Sequence, residues 1–229
     1  MKLFGMEQSF RALLDSHTSE QLTSDEVIST IVQAEWDDRE MRKITRGLRN
    51  ARFRYHASIE EIDYLHPRGL DKNQFVRFID CSYIQRHESI LVCGPTGVGK
   101  SFIVSALGNQ ACMKGYKVYY RNAQKLFRAL KLAKADGSYL KEMTKIEKQD
   151  LFILDDFGLQ PLDNQNSLIL LEILEDRHDK HSTVISSQLP VSKWYDIIGE
   201  NTLADAILDR LINGSHKINL KGESMRKKI

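Results

Sequence analysis

The chain has 229 residues, 41% hydrophobic and 28% charged, which suits an ordinary soluble core in one large domain or a medium domain with a small appendage. Its formal net charge of +2 excludes a global basic field, so a nucleic-acid partner must be held by a local patch. Three scattered cysteines, Cys81, Cys93 and Cys112, point away from a disulfide framework, and with neither a signal peptide nor an apolar run of about 18 residues the expected location is cytoplasmic, off the membrane.

The first third reads as helix. Thr23-Ser24-Asp25-Glu26 has the spacing of a capping box, and it opens an apolar-periodic stretch through Ile28, Ile31, Val32 and Trp36. From Arg39 to Tyr55 the pattern is two-sided. Met41, Ile44, Leu48, Ala51 and Tyr55 recur at three- and four-residue steps, and Arg39, Arg42, Lys43, Arg46 and Arg49 fall opposite, with Arg52 extending the row. This stretch carries seven Lys/Arg against one acid, Glu40, so pairing one helical turn apart leaves most of the row unexplained. Contact with DNA phosphates, sequence-tolerant and salt-sensitive, is the reading preferred over a solvated helix face. Ser58 and Glu61 have the spacing of another short capped segment. His66-Pro67-Arg68-Gly69 then breaks the pattern, dividing a helical domain at 1–66, for DNA binding or oligomerisation, from a second domain at 67–229.

Beyond that break, strand and helix alternate. β-branched runs at Ile90–Cys93, Lys117–Tyr120, Leu151–Leu154, Thr183–Ser186 and Lys217–Leu220 are separated by helical stretches, among them Phe102–Met113, Ala123–Ala133, Ser167–Asp179 and Ala204–Ile212. Helices of this length between strands imply parallel pairing and a three-layer α/β sandwich. Gly94, Pro95, Thr96, Gly97, Val98, Gly99, Lys100 and Ser101 match the full P-loop pattern, with Phe102 opening the helix behind it. Glycines let backbone amides turn inward on phosphate oxygens, Lys100 reaches the β/γ-phosphates, and Ser101 offers a hydroxyl to Mg²⁺. The expected ligands are therefore ATP and Mg²⁺.

Leu151–Leu154 runs into Asp155 and Asp156. Behind a P-loop, the first acid is expected to hold Mg²⁺ together with Ser101, and the second to orient or deprotonate the attacking water. The strand at Thr183 ends in Ser186, Ser187 and Gln188, either a sensor of the γ-phosphate or a plain strand-to-loop transition. Arg210 either pairs within the chain with Asp205 or Asp209, or reaches a neighbouring subunit's γ-phosphate; local sequence leaves both open. Lys217, Lys221, Arg226, Lys227 and Lys228 form a second, weaker basic candidate. Leu70 to Ile79, just before the core, is where an adenine pocket is expected. His178 and His181 lack further ligands for a metal shell, Cys93 reads as a small core residue, and Trp36 and Trp194 read as packing anchors.

The runs CGPTGVGKS, LFILDDFG, TVISSQLP and ILDRLINGSHKINLKGESMR, in that order behind AEWDDREMRKITRGLRNARF and HPRGLDKNQF, resemble the IstB-like proteins over nearly the whole chain. These are AAA+ ATP-binding helpers of transposition, related to DnaC-type helicase loaders. The resemblance implies an ATPase centre of Lys100, Ser101, Asp155 and Asp156, with Gln188 as a sensor and Arg210 as a finger acting between subunits. It also implies an AAA+ fold and a homo-oligomer with ATP at its interfaces, which assembles on duplex DNA and recruits or stimulates a partner transposase. Asp156 departs from the Glu of many AAA+ ATPases, which implies slow or partner-dependent hydrolysis. So little chain follows the last strand that no C-terminal helical lid is expected, and Arg226 is the one nearby candidate for a second sensor. A DnaC-type replicative helicase loader is the alternative function. A non-hydrolysing ATP-switched DNA scaffold and a metabolic kinase stand further off.

Overall fold

Residues 2–16 and 22–225 are described by a computed structural model. The chain falls into two compact units, Met1–Arg49 and Asn50–Ile229.

The first unit is a pair of helices, α1 (Phe4–Asp15) and α2 (Ser24–Ala51). The expected capping box forms at the start of α2. The Thr23 amide donates to Glu26 Oε2 at 2.8 Å, and the Glu26 amide donates to Thr23 Oγ1 at 3.4 Å. No side chain of its own caps α1; instead Glu35 of α2 accepts from the Gly5 amide at 2.9 Å and the Met6 amide at 3.3 Å. Glycine is needed there, because a Cβ on Gly5 would lie 2.4 Å from the Ala34 carbonyl oxygen. Trp36 is 65% exposed, so it is not the packing anchor expected of it.

The second unit carries a five-stranded, all-parallel sheet in the order β2-β3-β4-β1-β5. The strands are β1 (Ser89–Cys93), β2 (Val118–Asn122), β3 (Leu151–Phe157), β4 (Ser182–Ser187) and β5 (Ser215–Asn219), each where an apolar run was expected. One face packs on α5 (Lys100–Met113). The other face, through Leu91, Tyr119, Phe152, Leu154 and Ile185, shares a core with α6 (Ala123–Asp136), α7 (Tyr139–Glu147), α8 (Asn164–Arg177), α9 (Trp194–Ile198) and α10 (Asn201–Ile212). The short helices α3 (Lys72–Val76) and α4 (Ser82–Gln85) precede the sheet. Residues 220–225, beyond β5, are non-helical.

Two expectations need correction. Helix α2 ends at Ala51 rather than Tyr55, because Arg52 turns left-handed at φ +59°, the conformation that stops a helix. Residues 50–66 belong to the second unit, so the division lies well before His66. The reason is burial: Ala51, Ala57, Ile59 and Ile62 are buried, Phe53 packs edge-on to Tyr120, and Tyr55 meets Phe102. The short segment expected from Ser58 and Glu61 is a single turn, in which the Ser58 amide donates to Glu61 Oε2 at 2.8 Å as the spacing implied and the Ile62 amide donates to the Ile59 carbonyl.

Candidate active site

Strand β4 lies between β1 and β3, so the P-loop after β1 and the acids of β3 flank the end of β4 on one edge of the sheet. That arrangement makes a crevice at the carboxyl ends of parallel strands.

The P-loop turns on Gly97 (φ +89°) and Gly99 (φ +92°), conformations that L side chains adopt only under strain. Space also demands glycine. A Cβ at Gly97 would lie 2.0 Å from Ser224 Oγ, and one at Gly99 would lie 2.5 Å from Arg68 Nη1. The strap of residues 220–225 causes the first crowding: Leu220 N–H donates to the Cys93 carbonyl and Met225 N–H to the Gly97 carbonyl. Arg68 causes the second. It is 2% exposed, and its Nη1 donates to the Val98 carbonyl at 3.0 Å while Nη2 donates to the Asp63 carbonyl at 2.8 Å. Lys100, at the start of α5, is buried, with Nζ 2.8 Å from the Pro95 carbonyl.

Asp155 is fully buried and receives three hydroxyls. Ser101 Oγ donates at 3.1 Å, and Ser186 Oγ and Tyr120 Oη donate through short bonds. Burial and the Asp155 charge push the Tyr120 phenol well up, so it stays protonated as a donor. Asp156 differs in every respect. Its backbone is left-handed at φ +58°, which an aspartate tolerates better than most residues, and the register against β4 slips between Leu154 and Phe157. The turn aims its carboxylate into the crevice, where Oδ2 accepts from Arg54 Nη1 at 2.8 Å and from Asn122 Nδ2 at 3.2 Å. Gln188 Oε1 accepts from Thr96 Oγ1 at 2.7 Å, joining the end of β4 to the P-loop.

A cavity of about 510 Å³ opens over these groups, lined by Thr96, Gly97, Gly99, Lys100, Ser101 and Phe102 together with Arg54, Tyr55, Arg68, Asp156, Gln188 and Met225. None of Leu70–Ile79, the expected adenine region, lines it; Phe75 and Phe78 instead pack in an aromatic cluster with Tyr64, Tyr83 and His216. The paired oxygens of Ser101 and Asp155 are the hard donors that suit Mg²⁺, and the amides and Lys100 around the cavity suit phosphate.

Arg210 lies away from this cavity. Its Nη2 donates to Glu175 Oε1 at 2.8 Å and its Nη1 to the Ala206 carbonyl, so its partner within the chain is on α8, not Asp205 or Asp209. The basic row of α2 divides in two. Arg39 pairs with Glu35 at 2.7 Å, Arg42 with Asp38 at 2.5 Å and Lys43 with Glu40 at 3.9 Å, whereas Arg46 and Arg49 have no acidic partner among the described residues. Pairing across one turn thus explains half of what the sequence suggested it could not, because Glu35 and Asp38 stand just upstream of the counted stretch. Arg226, Lys227 and Lys228 lie outside the described residues. Trp194 is an anchor, packed on Phe157 with Nε1 donating to the Leu189 carbonyl. No metal-binding group of three His, Cys, Asp or Glu occurs among the described residues. No helix there is long and apolar enough to cross a membrane.

Sequence reasoning missed Arg54, Arg68, Tyr120 and Asn122, whereas Ser186 was read as part of a polar strand end and meets Asp155 rather than a phosphate. Only Arg54 carried a signal, as one more cation in the basic stretch.

A family model described as IstB-like ATP binding protein matches residues 1–229. An insertion sequence ATP-binding protein of Sinorhizobium fredii is 45% identical over 227 residues, covering 99% of this chain and 93% of its own. Among solved structures, DnaI aligns at a TM-score of 0.62 with 21% identity, covering 72% of this chain and 91% of its own. The DnaC helicase loader aligns at 0.58 with 19% identity, covering 69% and 95%. Those two likenesses give the fold, which is that of the AAA+ ATPases.

Proposed function

The chain belongs to the IstB-like ATP-binding family, and from that premise we propose that it is an AAA+ ATPase that assembles on duplex DNA as a helper of transposition. The observation that carries the proposal is the convergence of the P-loop and Asp156 on one cavity, with the buried Asp155 held directly behind Ser101. In this reading the P-loop amides and Lys100 hold the β- and γ-phosphates, and Ser101 and Asp155 hold Mg²⁺. The metal, when bound, draws off negative charge that builds on the transferring phosphoryl group. Tyr120 and Ser186 fix the Asp155 carboxylate in one orientation, so that it meets the metal without reorganisation. Asp156 orients the attacking water and accepts its proton, and Gln188 reads the γ-phosphate beside Thr96.

Arg210 completes the site of a neighbouring subunit, as a finger that Glu175 holds in reserve. ATP then sits at subunit interfaces of a homo-oligomer, so assembly depends on nucleotide. Arg46 and Arg49 on α2 and Arg52 just past its end, with Arg39, Arg42 and Lys43 as weaker contributors, bind DNA phosphates. The insertion sequence names of the relatives support the reading that the assembly recruits a partner transposase.

The test is the size of the assembly formed on duplex and on single-stranded DNA, with and without ATP·Mg²⁺, for wild type and Arg210→Ala. Large ATP-dependent assemblies on duplex that are lost in the variant support the reading. A preference for single strands would transfer the chain to a helicase-loading role, and the absence of DNA assembly would overturn both.

A further inference from the structure

Arg54 lines the cavity with a charge that opposes the use made of the two acids beside it. Its Nη1 lies 2.8 Å from Asp156 Oδ2 and 3.8 Å from Asp155 Oδ2, against both acids of the pair. A guanidinium there occupies the lone pairs and neutralises the charge that Asp156 needs to orient water, and it competes with a divalent cation for Asp155. Three further facts separate this from an ordinary structural ion pair. The Arg54 side chain is 42% exposed, so the pair adds little stability and the arginine is free to swing away. Asn122 Nδ2 bonds the same oxygen, Asp156 Oδ2, so the carboxylate keeps a partner when Arg54 leaves. Finally, α2 ends at Ala51 and Arg52 turns left-handed, so only a short, sharply turned run of chain joins the basic helix to Arg54.

We infer that Arg54 is a positioning residue for hydrolysis, a latch that holds Asp156 out of use until the chain preceding it shifts. The inference rests on the reading of Asp156 as the water-orienting acid. Contact of α2 with a polyanion pulls on the run from Ala51 to Arg54 and withdraws the guanidinium from the acids. Asp156 then faces the water, and Asp155 faces the metal alone. Arg54 touches neither bond that breaks nor bond that forms; it acts through Asp156.

The experiment compares wild type, Arg54→Gln, Arg54→Lys, Asp156→Asn and the double variant Arg54→Gln/Asp156→Asn. Two quantities are read: Mn²⁺ affinity in the presence of ATP, followed by electron paramagnetic resonance, and ATP turnover without DNA. The latch predicts that Arg54→Gln tightens Mn²⁺ and raises basal turnover, each about fivefold, the size of a partly exposed ion pair's contribution. Arg54→Lys, which keeps the charge, returns both toward wild type, and Asp156→Asn cancels the gain in turnover. Turnover in Arg54→Gln at or below the wild-type value, or unchanged Mn²⁺ affinity, overturns the latch while leaving the site intact. Turnover in the double variant as high as in Arg54→Gln would overturn the underlying reading of Asp156, and the latch with it.

Discussion

The two units of this chain are held together in opposite ways. In the second unit, polar groups are buried against internal partners: Asp155 takes three hydroxyls and Arg68 staples two carbonyls at the site, and away from it Arg177 donates to the carbonyls of Ile146, Gln149 and Ser182. In the described part of the first unit, only Gly5 and Glu35 are buried, while Ile28, Val32, Trp36 and Met41 are at least half exposed. A site proposed to hold a metal and two phosphates within tenths of an ångström needs rigidity supplied from inside. A helix proposed to bind a polymer of phosphates needs charge and little core. The contrast also says where each unit should fail.

The largest effect is expected at the sealed acid. Asp155→Ala removes the acceptor of Tyr120, Ser101 and Ser186 at once and should lower Mg²⁺-dependent ATP turnover at least about 100-fold, a loss of the order seen when a preorganised electrostatic group is removed. Turnover within a few-fold of wild type would make Asp155 a structural carboxylate and erase the contrast with Asp156. Next in size is the seam of the first unit. Gly5→Ala would drive a methyl to 2.4 Å from the Ala34 carbonyl oxygen and should cost about 2 kcal/mol, the order that overpacking costs. The helices should then be cleaved faster in limited proteolysis while ATP affinity stays within about twofold. Loss of ATP binding would mean that the units are not energetically separable.

The smallest effect concerns pH. Arg86, with His216 as a second partner, holds the Glu88 carboxyl down to about 2, tying β1 to β5. A depressed carboxylate contributes stability that is present above its unfolded value of about 4.5 and lost as pH falls toward 2. Its partner Arg86 is more than half exposed, so solvent screens the pair and Glu88→Gln should cost at most about 1 kcal/mol at neutral pH. Thermal melts of the two proteins should converge as pH falls through that window, and an undiminished gap at low pH would deny the ion pair its role. The cysteines should behave as core residues: burial pushes Cys93 to about 11 and Cys112 to about 12, so neither thiol should react with an alkylating reagent before unfolding.

What could be read from sequence was local or periodic. The P-loop is a contiguous motif, and Ile90–Cys93 and Leu151–Leu154 are apolar runs bounded by polar residues, so their strands were legible. The capping box at Thr23 was legible for the same reason. What converges from distant segments was not. Tyr120 and Asn122 meet Asp155 and Asp156 only because β2 and β3 lie side by side, and nothing in β2 itself announces the acids. The end of α2 was misplaced because Arg52 in a left-handed turn leaves no glycine or proline to mark it, and the unit boundary moved with it. The basic row was misjudged by the choice of window, since Glu35 and Asp38 stand a turn before Arg39 and Arg42.

The central claim is that phosphate contact along α2 is felt at the ATP site, and duplex-stimulated turnover measures it. Wild-type ATP turnover should rise on adding duplex DNA, with a stimulation that shrinks as salt is raised. Charge reversal of Arg46 and Arg49 should abolish the rise while leaving basal turnover in place. Equal stimulation in the charge-reversed protein would contradict the account, because DNA would then be acting through some other surface.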